Sequence, residues 1–186
     1  MDREQLQTLI TSIPVLDERE AADKQDALDW IGSDAPLYRI QKPDVPPKHL
    51  VSYFAIVDPK TNKILLQDHL LAKRWLPAGG HVDPNEDPAE TVRRECEEEL
   101  SIPAEFLGNA VPHFVTVTKT NGQGEHTDVS LWYLLQANEA TPLTIEPGKF
   151  AEVRWWGIDE VLGSPITLFD PELHRFIGKL RHASLV

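Results

Sequence analysis

Gly80-His81-Val82-Asp83-Pro84-Asn85-Glu86-Asp87-Pro88-Ala89-Glu90-Thr91-Val92-Arg93-Arg94-Glu95-Cys96-Glu97-Glu98-Glu99-Leu100-Ser101-Ile102 is the stretch on which the reading of this chain turns. Its first part is loop-like and its second part helical. Asp87 suits an N-cap, Pro88 the first helical position, and Glu90 the third, where a capping box places an acidic residue. A helix over 88–100 is predicted, and its end conflicts with its beginning. Glu95, Glu97, Glu98 and Glu99 crowd the last turns, where the helix dipole disfavours negative charge. Glu95 stands three residues before Glu98 and four before Glu99, so the three share a face. Each like-charged pair there costs about 0.2–0.5 kcal/mol. A glutamate run is ordinarily a solvated surface. One placed against both the dipole and its own neighbours suits a hard divalent cation, which takes oxygen ligands.

Outward from this segment, composition narrows the function classes. Acidic residues outnumber basic ones 30 to 18, for a net charge of −12. That excludes a nucleic-acid polymer as partner, because phosphate-backbone binding needs a basic face. A small phosphorylated ligand stays compatible when a cation mediates. An apolar fraction of 41% with five Trp supports a real core. The single cysteine, Cys96, leaves no internal disulfide. No apolar run approaches the ~18 residues of a membrane span, and Met1-Asp2-Arg3-Glu4-Gln5 lacks the apolar stretch of a signal peptide. The expectation is a cytoplasmic protein without a membrane partner.

Leu6, Leu9, Ile10 and Ile13 recur at helical spacing. After Pro14, a second helical stretch from Asp17 carries Ala21, Leu28 and Ile31. The segment from Gln41 to Pro47 is proline-punctuated and reads as a connector. Residues 1–47 are therefore expected to form a helical extension with its connector, and 48–186 a catalytic domain. In the latter, 50–57 and 64–67 read as a hairpin around Asp58-Pro59-Lys60-Thr61-Asn62. Strands are expected near 113–119, 127–136 and 153–156, and helices from Asp159 and over 172–180. Without a βαβ rhythm, the α/β class with a mixed sheet flanked by helices follows.

The segment from Gly80 to Ile102 resembles the Nudix box, G-x5-E-x7-R-E-U-x-E-E-x-G-U with U aliphatic. Gly80, Glu86, Arg94, Glu95, Glu98, Glu99 and Ile102 match, and chance would produce the fixed positions at about 10⁻⁸ per starting point. There are two departures. Cys96 replaces an aliphatic residue, which a buried thiol can do. Ser101 replaces the glycine that eases the turn out of the helix. Weaker similarity extends through Trp75-Leu76-Pro77-Ala78-Gly79 before the box and Val153-Arg154-Trp155-Trp156 with Asp159-Glu160 after it.

The resemblance implies an α/β/α sandwich around a mixed sheet. It also implies a Mg2+-dependent hydrolase, with Mn2+ as the alternative ion, that cleaves the diphosphate of a nucleoside diphosphate linked to a group X. Glu95, Glu98 and Glu99 would hold metal, with one of them as base. Arg94 would pair with Glu86, and Gly80 would bring backbone close to metal or phosphate. A later loop would add a carboxylate, Glu146 in preference to Glu152. His81, Arg74, Asp128 and Trp156 are the candidate substrate contacts; of Trp155 and Trp156, which alternate along a strand, one should be core. The first substrate reading is a modified nucleoside triphosphate, giving monophosphate and pyrophosphate. ADP-ribose or a nucleotide sugar comes second, since Val117 stands where that subgroup carries proline. Thr118 stands where a dinucleoside-polyphosphate subgroup carries tyrosine. A non-catalytic ligand-binding module is disfavoured by the presence of all three glutamates. A homodimer is an assembly common in the family.

Overall fold

The computed structural model of the chain describes residues 1–41, 44–121, 125–145 and 148–186. Helices are α1 (Arg3–Thr11), α2 (Glu18–Gly32), α3 (Pro88–Leu100), α4 (Ile158–Gly163) and α5 (Leu173–His182). Strands are β1 (Lys48–Asp58), β2 (Lys63–His69), β3 (Arg74–Leu76), β4 (Ala78–His81), β5 (Phe114–Asn121), β6 (Glu125–Gln136) and β7 (Phe150–Gly157). Their pairing order is β3-β2-β1-β6-β5, with β4 on β1 and β7 on β2. This is a mixed α/β architecture with an open sheet, as the sequence predicts. The short strands β3 and β4 were not legible, because Pro77 and the Gly79-Gly80 pair interrupt any strand pattern. Among the described residues no helix is long and apolar enough to cross a membrane.

The chain divides into two compact units, with β1, α3 and β6 passing through both. The first comprises Met1–Tyr53, Gly79–Val92 and Ala110–Tyr133. Its helices begin where their caps dictate: Asp2 and Gln5 form a capping box on α1, and Asp17 accepts the Glu20 N–H on α2. α2 packs against β5. β5 and β6 run antiparallel in register from Phe114↔Trp132 to Asn121↔Glu125. Leu6, Ile10, Ile31, Leu50, Phe114 and Trp132 form the buried core of this unit. β4 lies so close to β1 that a Cβ on Gly79 would meet the Ser52 carbonyl oxygen at 2.5 Å.

The second unit comprises Phe54–Ala78, Arg93–Asn109 and Leu134–Val186. Here β2 is antiparallel to β1 (Ile56↔Leu65), to β3 (Gln67↔Leu76) and to β7 (Lys63↔Gly157). The β1–β2 turn carries Asn62 at φ 55°, a left-handed conformation that asparagine tolerates. α5 buries Leu173, Phe176, Ile177 and Leu180 at helical spacing. Trp156, edge-on to Trp75 and Phe169 at 5.2 and 5.3 Å, anchors an aromatic cluster. At the end of α3, Ser101 adopts φ 55°, and its N–H reaches the Glu97 carbonyl at 3.0 Å. That is the left-handed turn for which the family pattern keeps glycine.

Candidate active site

α3 starts as its sequence dictates, with Asp87 Oδ1 accepting the Ala89 N–H at 2.9 Å. In the preceding loop Glu86 accepts from the Asp83 N–H at 3.1 Å and from Thr91 Oγ1 at 2.7 Å. One carboxylate thus ties the loop to the first turn of the helix. Met1 and the loop carbonyl of Asn85 are hydrogen-bonded in the same unit.

The acidic face lies at the other end of α3, in the second unit. Glu95 is 8% exposed and Glu99 1%, while the Glu98 side chain is 57% exposed. Arg94 Nη1 donates to Glu95 Oε1 at 2.5 Å and stands 3.6 Å from Glu98 Oε2. Glu99 accepts from Gln67 Nε2 at 3.0 Å and from Lys149 Nζ. Burial pushes the Glu95 carboxyl above its ordinary value, and the hydrogen bond and charge of Arg94 only partly oppose this. Burial does the same to Glu99 against the pull of Lys149 and Gln67. Two buried carboxylates with raised pKa, held by cationic neighbours at a helix terminus of the wrong polarity, make a site that favours positive charge. Cys96 is fully buried beside them, and burial drives its thiol up to about 12, so thiolate chemistry is excluded.

The remaining expected residues are spread over the fold. Glu146 lies outside the described residues, as do Lys42 and Pro43 of the connector. Glu152 is exposed on β7 opposite Asp68. Arg74 is half-buried on β3. Trp156 is buried, with the Arg154 guanidinium 3.9 Å from its ring centroid, and Trp155 is half-buried.

His81 and Asp128 are brought together in the first unit with three residues that sequence reasoning did not single out as ligands: Asp44, His49 and His126. His49 Nε2 stands 3.1 Å from Asp128 Oδ1. His126 lies between Asp44 Oδ2, at 3.3 Å from Nδ1, and Asp128 Oδ1, at 3.6 Å from Nε2. The His81 and His49 ring centroids are 4.7 Å apart. Burial, the Arg39 charge and His49 depress the His81 imidazole to about 3, so it is neutral at physiological pH. Burial also works against a charged His49, yet the Asp128 carboxylate and Pro46 carbonyl raise its pKa overall. A sequence signal existed for His49: one imidazole set in the apolar run of β1, directly after Pro46-Pro47-Lys48. Gln67 and Lys149 offered none, since only the tertiary fold brings them to Glu99.

A NUDIX domain model matches residues 48–179. The chain belongs to the NUDIX domain family. A NUDIX family hydrolase structure from Clostridium perfringens superposes with a TM-score of 0.57 at 19% identity, covering 73% of this chain and 97% of that one. A MutT NUDIX hydrolase from Burkholderia pseudomallei superposes with a TM-score of 0.50 at 27% identity, covering 61% and 85%. Among curated proteins, an isopentenyl-diphosphate Delta-isomerase from Brevibacterium linens is 27% identical over 124 residues. That match spans 62% of this chain and 65% of the relative, so this Nudix chain covers just under two thirds of that protein.

Proposed function

We propose that the chain is a Mg2+-dependent Nudix hydrolase that cleaves the diphosphate of a nucleoside diphosphate linked to X. A modified nucleoside triphosphate is its first substrate, and the products are a monophosphate and pyrophosphate. The observation that carries this reading is the buried acidic end of α3, with Glu95 and Glu99 compensated by Arg94 and Lys149. An all-oxygen donor set of this kind fits a hard divalent cation. When bound, such a cation polarises a phosphoryl oxygen and lowers the pKa of a water. Glu95, Glu98 and Glu99 would hold it, and Gly80 and Glu146 are the further ligands that the family resemblance implies. Glu98, the most exposed of the three, would accept the proton of the attacking water. Arg94 fixes Glu95. Arg74 would meet substrate phosphate.

The test is hydrolysis of ordinary and oxidised triphosphates, ADP-ribose, nucleotide sugars and dinucleotides with magnesium, comparing the protein with Glu98→Gln. Loss of a catalytic base costs about 10²–10⁴-fold in rate; an unchanged rate in the variant would remove Glu98 from that role. The Brevibacterium linens relative places isopentenyl diphosphate in the panel. Its isomerisation without phosphate release would replace the hydrolase reading.

A further inference from the structure

Asp44, His49, His81, His126 and Asp128 are five titratable side chains gathered in the first unit. They form two triads, Asp44–His49–His126 and His49–His81–Asp128, each with one ligand atom per residue and all three atoms within 4.8 Å of one another. His49 belongs to both, so its available lone pair decides between them.

His49 is fully buried and turns Nδ1 to the Pro46 carbonyl at 3.0 Å. A carbonyl only accepts, so Nδ1 carries the hydrogen and the lone pair of the neutral ring is on Nε2. Nε2 faces Asp128 Oδ1 at 3.1 Å. Two acceptors at that separation require a positive particle between them, either a proton or a metal ion. Two donors bound to one ion at about 2.0–2.2 Å with tetrahedral angles are themselves roughly 3.3–3.5 Å apart. The His49–Asp128 pair is therefore close to one edge of a coordination polyhedron. His81 supplies a third donor within reach of both.

In the other triad Asp44 is already committed. One oxygen accepts from Arg39 Nη1 at 3.1 Å, and the other faces His126 Nδ1. His126 stacks on His49 with centroids 5.3 Å apart and planes 18° from parallel, so it and Asp44 support His49 and Asp128 from behind. A backbone carbonyl that accepts from Nδ1–H, as Pro46 does from His49, is also the outer partner that metal-ligating imidazoles commonly have.

We propose that His49 Nε2, His81 and Asp128 Oδ1 form a second metal site, which takes a divalent transition-metal ion such as zinc or manganese. Two imidazoles and one carboxylate select such metals over magnesium, which prefers oxygen. The ligands come from β1, β4 and β6, the regular elements of one unit, so the donors are held in place before the ion arrives. His81 and Asp128 thereby act as ligands in preference to contacting substrate.

The experiment strips the protein with chelator and then titrates it with Co2+ and Zn2+, following calorimetry and the cobalt ligand-field spectrum. About one equivalent with the ligand-field signature of imidazole coordination should bind to the wild-type protein and to Glu98→Gln alike, whatever further ion the glutamates take. His81→Gln and Asp128→Asn should each weaken binding by roughly 10- to 100-fold or more. Imidazole NMR signals of His49 and His81 in the wild-type protein should shift on adding Zn2+, a readout that needs no variant to fold. The proposal is overturned if those signals stay put, if the wild-type protein binds no Co2+, or if folded His81→Gln and Asp128→Asn bind it unchanged. Loss of binding in Glu98→Gln would assign the ion to the glutamates and also overturn it. Activity enters none of these readouts, so failure of this site and failure of the hydrolase reading are distinguishable.

Discussion

Replacing Lys149 with methionine keeps the aliphatic stem and removes the charge that meets Glu99. Breaking a fully buried ion pair by removing one partner costs about 3–5 kcal/mol. The Lys149 side chain is 34% exposed and Gln67 keeps its hydrogen bond to Glu99. Solvent screening therefore leaves about 2 kcal/mol. For a chain of this size that corresponds to a fall in Tm of about 4–8 °C. Under the proposed function magnesium should reverse part of the loss, because the ammonium group and the divalent ion would compete for the same carboxylate. The assay is thermal unfolding of both proteins, first with chelator and then with saturating magnesium. With chelator Lys149→Met should melt lower, and with magnesium the gap should close by half or more. The Glu99 carboxyl already lies above its ordinary value through burial. Losing Lys149 raises it further, so the acid limb of magnesium binding should move to higher pH. A gap of equal size in both conditions would refute the reasoning, since Lys149 and the cation would then not share Glu99.

Other substitutions test the scaffold. Ser101→Gly should stabilise the protein by about 0.5–1 kcal/mol in urea unfolding, because relief at φ 55° exceeds the added chain entropy; destabilisation would show that this turn is not strained. Gly79→Ala should cost about 1–3 kcal/mol, since its Cβ would press on the Ser52 carbonyl and part β4 from β1; a neutral result would mean the strands can separate freely. The Asp58 carboxylate is held below its ordinary value, first by the Glu139 N–H and then by the Lys60 N–H. A lowered folded-state pKa stabilises above the unfolded carboxylate value, and the benefit is lost as pH falls through the folded value. Asp58→Asn should therefore flatten the acid side of the stability–pH curve, and an unchanged curve would exclude this contribution.

What the sequence disclosed follows the locality of each signal. α3 was legible because its start lies in consecutive residues, Asp87 and Pro88, and its anomaly lies within two turns. The β1–β2 hairpin was legible from the turn residues Asp58 to Asn62. The acidic face could be read for the same reason, since Glu95, Glu98 and Glu99 meet through helical geometry alone. The partners of that face are another matter. Gln67 comes from β2 and Lys149 stands just before β7, and no spacing rule connects either with residue 99. The histidine group is less local still, because β1, β4 and β6 each contribute one ligand. His81 and Asp128 were read as candidate substrate contacts, and His49 was not singled out. Trp155 and Trp156 were separable only by packing: Trp156 is covered by Trp75 and Phe169, and Trp155 stays half-buried.

The acidic end of α3 has no basic residue in its last turn. Selection for thermal tolerance alone would act there first, since a lysine at position 95 or 98 would complement the dipole and relieve the crowding. The same change would delete a proposed metal ligand. Directed evolution of a hardier variant therefore faces a specific hazard: a library screened only for survival at high temperature should enrich inactive proteins at these codons. Screens on this scaffold need an activity gate, or must hold those codons constant.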